Sequence, residues 1–350
     1  MSLLRACLQK SLNSEHAVVN ELLKNKNVLY VAPVFFGYES EIKGALEQQG
    51  ASVTFLLDRP FNSPFLKALT KFRHAWVIGA ADRYYERQMS TVDTEFDYVF
   101  VVNGQTLSAK TLSTWRERYS KAKFILYMWD SFSNRQQTLR NLKYFDSVFT
   151  FDKNDAEKYN VNFRPLFFSA GFGAAVEVKT QYDISFIGTA HTDRFFIVDK
   201  IDRQLGSSKR KYWYLYLQAD WVYWFYRCFN SAYRNAKKAN FKFESIPKAE
   251  VQRVFNVSNT ILDIEHPQQT GLTMRTLETL GARKKLVTTN ESVKQYDFYS
   301  EDNIFVIDRQ NPVISRAFLE QPYQAVDSDI YRRYSLAGWL DEIIMLVNNK

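Results

Sequence analysis

Short apolar runs and helical stretches alternate along this chain, twice over, and that alternation leaves few folds open. In the first half, residues 27–33 form a β-branched and aromatic run, residues 34–39 a loop, and residues 40–49 a helical pattern closed by Gly50 before the next apolar run at 51–57. Strands over 98–102 and 123–128 follow, with a helix over 108–119 between them. A strand over 147–151 then runs into a capped helix start at 152–155. After a break at 164–173, which carries Pro165, Gly171 and Gly173, the same grammar restarts: strand 182–188, loop 189–193, helix 194–205, helix 247–257, strand 259–265, helix 272–280, strand 285–289 and strand 303–307. Strands joined through helices of this length run parallel, with helices on both sheet faces. The pattern predicts an α/β protein of two successive parallel-sheet domains, residues 1–168 and 169–327, with a hinge near 165–180. Residues 328–350 are expected to form a helix packing across that hinge, with Leu336, Trp339, Leu340, Ile343, Ile344 and Val347 on its apolar face.

A length of 350 residues suits two such cores better than one. Charged residues at 24% and hydrophobic residues at 46% exclude disordered, collagen-like and coiled-coil classes. Aromatic residues at 16% exceed what two modest cores need, so some aromatic surface is expected to meet a ligand, partner or membrane. A net charge of +8 favours anionic partners. Two cysteines, Cys7 and Cys228, lack both a disulfide framework and metal-ligand spacing, which points to a reducing compartment. The first ten residues lack the apolar core of a signal peptide, and no window of 18 apolar residues occurs, so a cytoplasmic location is expected.

Ligands of parallel sheets sit beyond the carboxyl ends of the strands, and two domains facing one another would leave a cleft into which those loops converge. The richest loop follows strand 259–265. It carries Glu265, His266, Gln268, Gln269, Thr270 and Gly271, after which a helix places Arg275 and Glu278 on one face, three residues apart. Gly271 opening a helix would suit a diphosphate at the helix N-terminus, with Arg275 reaching a phosphate and Glu278 accepting both ribose hydroxyls. The competing reading makes Arg275 and Glu278 a surface ion pair and Thr270 a helix cap.

Three further loops carry candidates. Gly188, Thr189, His191 and Arg194 lie at the end of strand 182–188, where backbone amides and a guanidinium could face the same diphosphate; the alternative is a capped turn with solvated side chains. Asp130 follows strand 123–128 and reads either as a general base for an acceptor hydroxyl or as a cap of the following helix. Glu39 is a rival base, or a solvated charge stabilised at a helix N-terminus.

The block Gly271-x-x-x-Arg275-x-x-Glu278-x-x-Gly281-Ala282, followed by strand 285–289 and Asn290, resembles the donor-binding region of GT-B glycosyltransferases. Within that class it most resembles the CgeB-like and lipopolysaccharide or capsule biosynthesis glycosyltransferases. Residues 183–191, the stretch 126–131 around Asp130 and residues 333–340 share the likeness. The resemblance implies two Rossmann-like domains facing across a cleft, and transfer of a sugar from a nucleotide-sugar donor to a saccharide or lipid-linked saccharide of the cell surface, with no cofactor or metal. Retaining members carry two glutamates eight positions apart; Glu278 matches the second, while Thr270 stands at the first, leaving Asp263 or Glu265 as replacements. That departure keeps a second reading open, a GT-B-shaped binding protein without catalysis.

Residues 203–242 hold nine Lys and Arg and a single acidic residue, Asp220, with ten aromatic residues between 212 and 229. A helix from about Gln218 would put Trp221, Trp224, Phe225, Cys228 and Phe229 on one face, and Tyr223, Tyr226, Arg227, Arg234 and Lys237 on the other. This suits peripheral attachment to an anionic membrane, with Lys209, Arg210, Lys211, Arg234, Lys237 and Lys238 supplying the charge. The alternative buries the Trp face as core. No motif of a nucleic-acid-binding fold is present, so nucleic acid is not an expected partner.

Overall fold

A computed structural model describes residues 21–59, 74–173, 178–267 and 270–349. Cys7, the opening segment and the candidate Gln269 lie outside the described residues. Two six-stranded parallel sheets form the frame. The first contains β1 (Asn27–Ala32), β2 (Ser52–Leu57), β3 (Tyr98–Val102), β4 (Lys123–Met128), β5 (Ser147–Thr150) and β6 (Asn162–Phe163), in the order β2-β1-β3-β4-β5-β6. The second contains β7 (Tyr182–Thr189), β8 (Lys211–Tyr216), β9 (Phe241–Lys242), β10 (Ser258–Asp263), β11 (Lys285–Thr288) and β12 (Ile304–Val306), in the order β12-β11-β10-β7-β8-β9. Helices α1 (Tyr38–Gln48), α2 (His74–Ser90), α3 (Ala109–Arg118), α4 (Lys153–Tyr159), α5 (Arg194–Leu205), α6 (Asp220–Phe229), α7 (Lys248–Asn256), α8 (Met274–Gly281), α9 (Ser328–Arg333) and α10 (Leu336–Asn348) are interleaved with them.

Strand β3 is buried along its whole length, and β1 and β4 along all but their first residue. Burial on both faces is why they read as continuous apolar runs without alternation. Registers are parallel throughout, for example Val28 beside both Val53 and Tyr98, and Thr260 beside Lys285 and Ile184. Contacts gather the chain into two compact units, one of residues 1–128, 135–148 and 340–350, the other of residues 129–134 and 149–339.

Strand β8 and helix α2 were not legible in advance. The expected helix over 328–347 is two pieces, α9 and α10. The break has a cause: Phe168 donates its amide to the Tyr334 carbonyl at 2.9 Å and accepts from the Leu336 amide at 3.1 Å, a strand-like bridge that a continuous helix could not offer. Trp339, fully buried, packs its ring 4.8 Å from Phe167 just beyond this bridge.

Replacing Trp339 with Ala leaves a cavity the bridge holds open. It should lower unfolding free energy by about 3–5 kcal/mol, read as a lower urea midpoint with an unchanged m-value.

Candidate functional site

Strand order locates the site in the second unit. Chain growth runs from β7 outward to β8 and β9 on one side and to β10, β11 and β12 on the other, so the crossover direction reverses between β7 and β10. Loops leaving these two strands part there and open a crevice at their carboxyl ends.

The loop after β7 is pinned from several sides. The Ala190 amide donates to the Tyr216 carbonyl at 2.7 Å, the Tyr233 hydroxyl donates to the Ala190 carbonyl, and Asn230 Nδ2 donates to the Thr192 carbonyl at 3.2 Å. Thr192 sits at φ 55°, a left-handed conformation that a β-branched residue adopts only when its surroundings impose it. Arg194 stitches the loop to the next strand, donating from Nη1 to the Thr189 carbonyl at 3.1 Å and from Nε to the Ile264 carbonyl at 2.7 Å. Burial lowers its pKa from the usual guanidinium value. Gly188 and Thr189 lie in β7 itself, in register with Leu215 and Tyr216. A Cβ on Gly188 would stand 2.8 Å from the Phe186 ring, so its absence makes room for that ring beside Arg194.

His191 is half-buried, with its ring centroid 5.7 Å from that of His266 and Nδ1 3.3 Å from Thr192 Oγ1. Burial first, then the charges of Arg194 and of His266, lower its pKa to about 4, so the imidazole is neutral at pH 7. A solvated His191 and Arg194, the competing reading, is therefore corrected: carbonyls hold Arg194, and His191 is half-buried with its ring beside the Thr192 hydroxyl.

The loop after β10 is organised by carboxylates. Asp263, at the strand end, accepts from Thr273 Oγ1 at 2.6 Å and Thr276 Oγ1 at 2.7 Å, which fixes the start of α8. Glu265 accepts from Arg309 Nη1 and from Thr289 Oγ1. Arg309 also donates to the Glu265 carbonyl and, through Nε, to Asp193 Oδ2 at 2.8 Å, so one guanidinium after β12 ties together the loops following β7 and β10. Asp152 caps α4 with Oδ1, while Oδ2 accepts from Thr270 Oγ1 at 2.5 Å and the Gly271 amide at 3.0 Å. The helix opens two residues beyond the expected point. Thr273 is the cap, its Oγ1 accepting from the Thr276 amide at 3.1 Å; Thr270 is not.

On α8, Arg275 Nη1 lies 3.2 Å from Glu278 Oε2. Glu278 is buried, its side chain 5% exposed, and Arg275 is partly covered with its guanidinium 5.1 Å over the Phe255 ring. The surface-pair reading is thus corrected to a part-buried pair, with Glu278 buried and Arg275 partly covered. Seen together, the second unit brings His191, Arg194, Glu265, Thr270, Gly271, Arg275 and Glu278 to the strand-end side of one sheet. Carboxylates able to accept from sugar or ribose hydroxyls stand near guanidiniums able to meet phosphate. Among the described residues no group of His, Cys, Asp and Glu is gathered as a metal site requires.

Glu39 and Asp130 lie on other loops. In the first sheet the order reverses between β1 and β3, and Glu39 follows β1. Its buried carboxylate accepts from the Phe35 amide at 3.0 Å, closing a turn in which Phe36 (φ 51°) and Gly37 (φ 79°) are both left-handed. The solvated-charge reading of Glu39 is corrected by this burial. Across the same reversal, after β3, Asn103 and Gly104 are also left-handed, and buried Asp58 accepts from the amides of Gln105 (2.9 Å) and Thr106 (3.0 Å). Burial raises the Asp58 pKa in spite of those amides. Asp130, after β4, is one strand removed from the reversal. Its Oδ1 accepts from the Ser131 amide at 3.0 Å and Asn134 Nδ2 at 3.1 Å, bracing the 3₁₀ turn Phe132–Asn134.

Sequence reasoning missed Asp152, Asp193, Arg309 and Asp58. All four follow a strand end, and the strand-end rule applied evenly would have named them; for Asp152 only the capping of the next helix was read, which the structure bears out.

No family model matches the chain, and no curated protein matches it in sequence. Solved structures do match in fold. A glycosyltransferase from Rickettsia africae ESF-5 aligns with a TM-score of 0.59 at 11% identity, over 93% of this chain and 98% of its own. Anabaena HepE in complex with UDP-glucose aligns at 0.57 and 9% identity, over 93% and 100%. A UDP-N-acetylglucosamine 2-epimerase aligns at 0.51 and 12% identity, over 93% and 96%. The fold is therefore that of the GT-B glycosyltransferases, which an epimerase also shares.

A depressed histidine pKa destabilises the fold on acidification, because the unfolded chain binds the proton first. Stability should be full above about pH 6.5 and fall toward pH 4, and His191→Asn should flatten that fall, as read from urea midpoints across the range.

Proposed function

We propose that this chain is a glycosyltransferase that moves a sugar from a uridine-diphosphate sugar to a saccharide or lipid-linked saccharide of the cell surface. The observation that carries the reading is the part-buried Arg275–Glu278 pair on α8, beside the β7–β10 reversal that parallel sheets use for nucleotides. In this reading Glu278 accepts the ribose hydroxyls, and the diphosphate turns toward Arg275 and the loop carrying Thr270 and Gly271. Its charge is met by guanidinium groups, without a bound metal. Glu265, held by Arg309 and Thr289, faces the donor sugar in place of the carboxylate that Thr270 replaces. His191, neutral at pH 7, is suited to a hydrogen bond with a sugar hydroxyl or phosphate oxygen.

A uridine donor is supported by the fold shared with HepE, whose structure holds UDP-glucose. A cell-surface acceptor is supported by the resemblance of the Gly271–Gly281 block to lipopolysaccharide and capsule enzymes. Proton removal from the acceptor falls to Asp130 or Glu39. Asp130 is the better exposed of the two, and Glu39 is the one at a sheet reversal.

The test of the reading is donor binding and turnover. UDP and a panel of UDP-, GDP- and dTDP-sugars are titrated by calorimetry, and nucleotide release is followed with and without acceptor saccharides. Binding without transfer, hydrolysis or epimerisation would favour the non-catalytic alternative, and no nucleotide binding at all would end both. Glu278→Ala should weaken UDP binding by about 1–3 kcal/mol, and Arg275→Ala should weaken UDP more than uridine; unchanged affinity in both variants sinks the assignment.

Asp130→Asn keeps the turn-bracing acceptor oxygen and should lower kcat about a hundredfold with the donor Kd unchanged. If kcat holds and Glu39→Gln lowers it instead, the base is Glu39.

A further inference from the structure

Helix α6 is apolar on two opposite sides. Its inner side packs into the second unit's core: Val222 and Tyr223 are buried, and Tyr226 lies against that core with its ring 5.0 Å from Tyr233. Its outer side carries Trp221, Trp224, Phe225 and Phe229, exposed by 69%, 56%, 52% and 77%. Positions 221, 224, 225 and 229 form one helical stripe, and the Phe225 and Phe229 rings already stand 5.0 Å apart. The alternative that buries this face as core is corrected; the helix buries the other one. A helix apolar all round calls for a cover on both sides, and only one is supplied.

The stretch from α6 to β9 is cationic in sequence. From Trp221 to Lys242 the chain has no Asp or Glu and five basic residues, Arg227, Arg234, Lys237, Lys238 and Lys242, all exposed. Asp220, at the helix start, pairs with Lys238 at 2.6 Å. Three residues expected to join this patch do not: Lys209, Arg210 and Lys211 hold Glu320, Asp183 and Asp202 near the start of β8, whereas α6 follows its end.

We propose that the outer face of α6 docks on an anionic lipid bilayer, with the four rings settling at headgroup depth and Arg234, Lys237 and Lys242 facing lipid phosphates. Charge chooses this occupant. A second copy of the chain would bring the same basic set against itself, whereas an anionic surface satisfies rings and charges together. Tryptophan at an interface puts its ring in the apolar zone and its N–H toward water, as an exposed tryptophan pair on a surface helix requires. No described helix is long and apolar enough to cross a membrane, so the contact is interfacial. The proposal is independent of sugar transfer: vesicle binding and nucleotide binding are separate readouts.

The full chain is sedimented with vesicles of phosphatidylcholine alone or with one-third phosphatidylglycerol, at low and high salt. Binding to the anionic vesicles that weakens at least tenfold with salt or on neutral lipid is expected. The triple variant Trp221→Ser/Trp224→Ser/Phe225→Ser should lose it, and Arg234→Glu/Lys237→Glu should weaken it about tenfold, with far-UV spectra and the urea midpoint of the charge variant unchanged. Wild-type protein that stays in the supernatant overturns the proposal. So does concentration-dependent dimerisation, without vesicle binding, that the aromatic variant abolishes.

Discussion

A parallel strand buried on both faces can reach its neighbour only through a crossover, and the rest of this structure depends on that constraint. Every crossover returns the chain to the same end of the sheet, so all strand-end loops of one sheet collect along one edge. Where the direction of growth reverses, two adjacent loops diverge and no helix fills the space between them. Both sheets have such a point, β1 against β3 and β7 against β10. Part of the left-handed backbone of the described residues lies beside them: Phe36, Asn103 and Thr192. Strain of this kind persists only where surrounding bonds over-determine it, and here they do, through Glu39, Asp58 and Asn230.

Charge in the second unit is organised by the same edge. Asp263, Glu265, Asp152 and Asp193 are each held by named donors, so the loops after β7, β10 and β12 act as one braced piece. Arg309 is its centre: a single guanidinium reaches two carboxylates and a carbonyl on two different loops. A planar fork with several fixed donors can do this where a lysine could not. Buried carboxylates would otherwise carry a desolvation cost of several kcal/mol each. Preorganisation of this kind lets a ligand meet dipoles already in place.

The sheets were legible in the sequence because burial on both faces writes itself as uninterrupted apolar runs: β3, β4 and helix α5 fall where the pattern puts them. Strand β8 was not, because Lys211–Tyr216 is rich in Trp and Tyr and merges with the aromatic stretch of α6 in any window average. The split of the last helix was hidden for another reason. Its cause, Phe168, lies more than 160 positions away. Arg275 and Glu278 were readable from i,i+3 spacing, and the structure puts them 3.2 Å apart. The cap at Thr273 was not readable, since Thr270 competes for it in sequence; in the structure the Thr270 hydroxyl donates to Asp152 instead.

The aromatic excess divides into three uses, and one of them bears on the candidate site. Some rings make core, as Phe195, Tyr233 and Phe241 do within 5.3–5.7 Å of one another. Some cover α6 outside. A third group stands against glycines: Phe186 against Gly188, Phe151 against Gly271 and Phe168 against Gly281, with a Cβ at those glycines falling 2.8, 2.5 and 2.5 Å from the ring. None of these glycines has a left-handed φ, so their role is close approach alone. Each is a rigid flat surface pressed on bare backbone, and all three lie along β7 or at the two ends of the α8 segment. An alanine at Gly271 would push against Phe151, next to the Asp152 that binds Thr270 and the Gly271 amide, and so shift the loop that carries both. The glycines of the 271–281 block therefore set the distance between helix α8 and its neighbours, and Arg275 and Glu278 inherit their positions from that spacing.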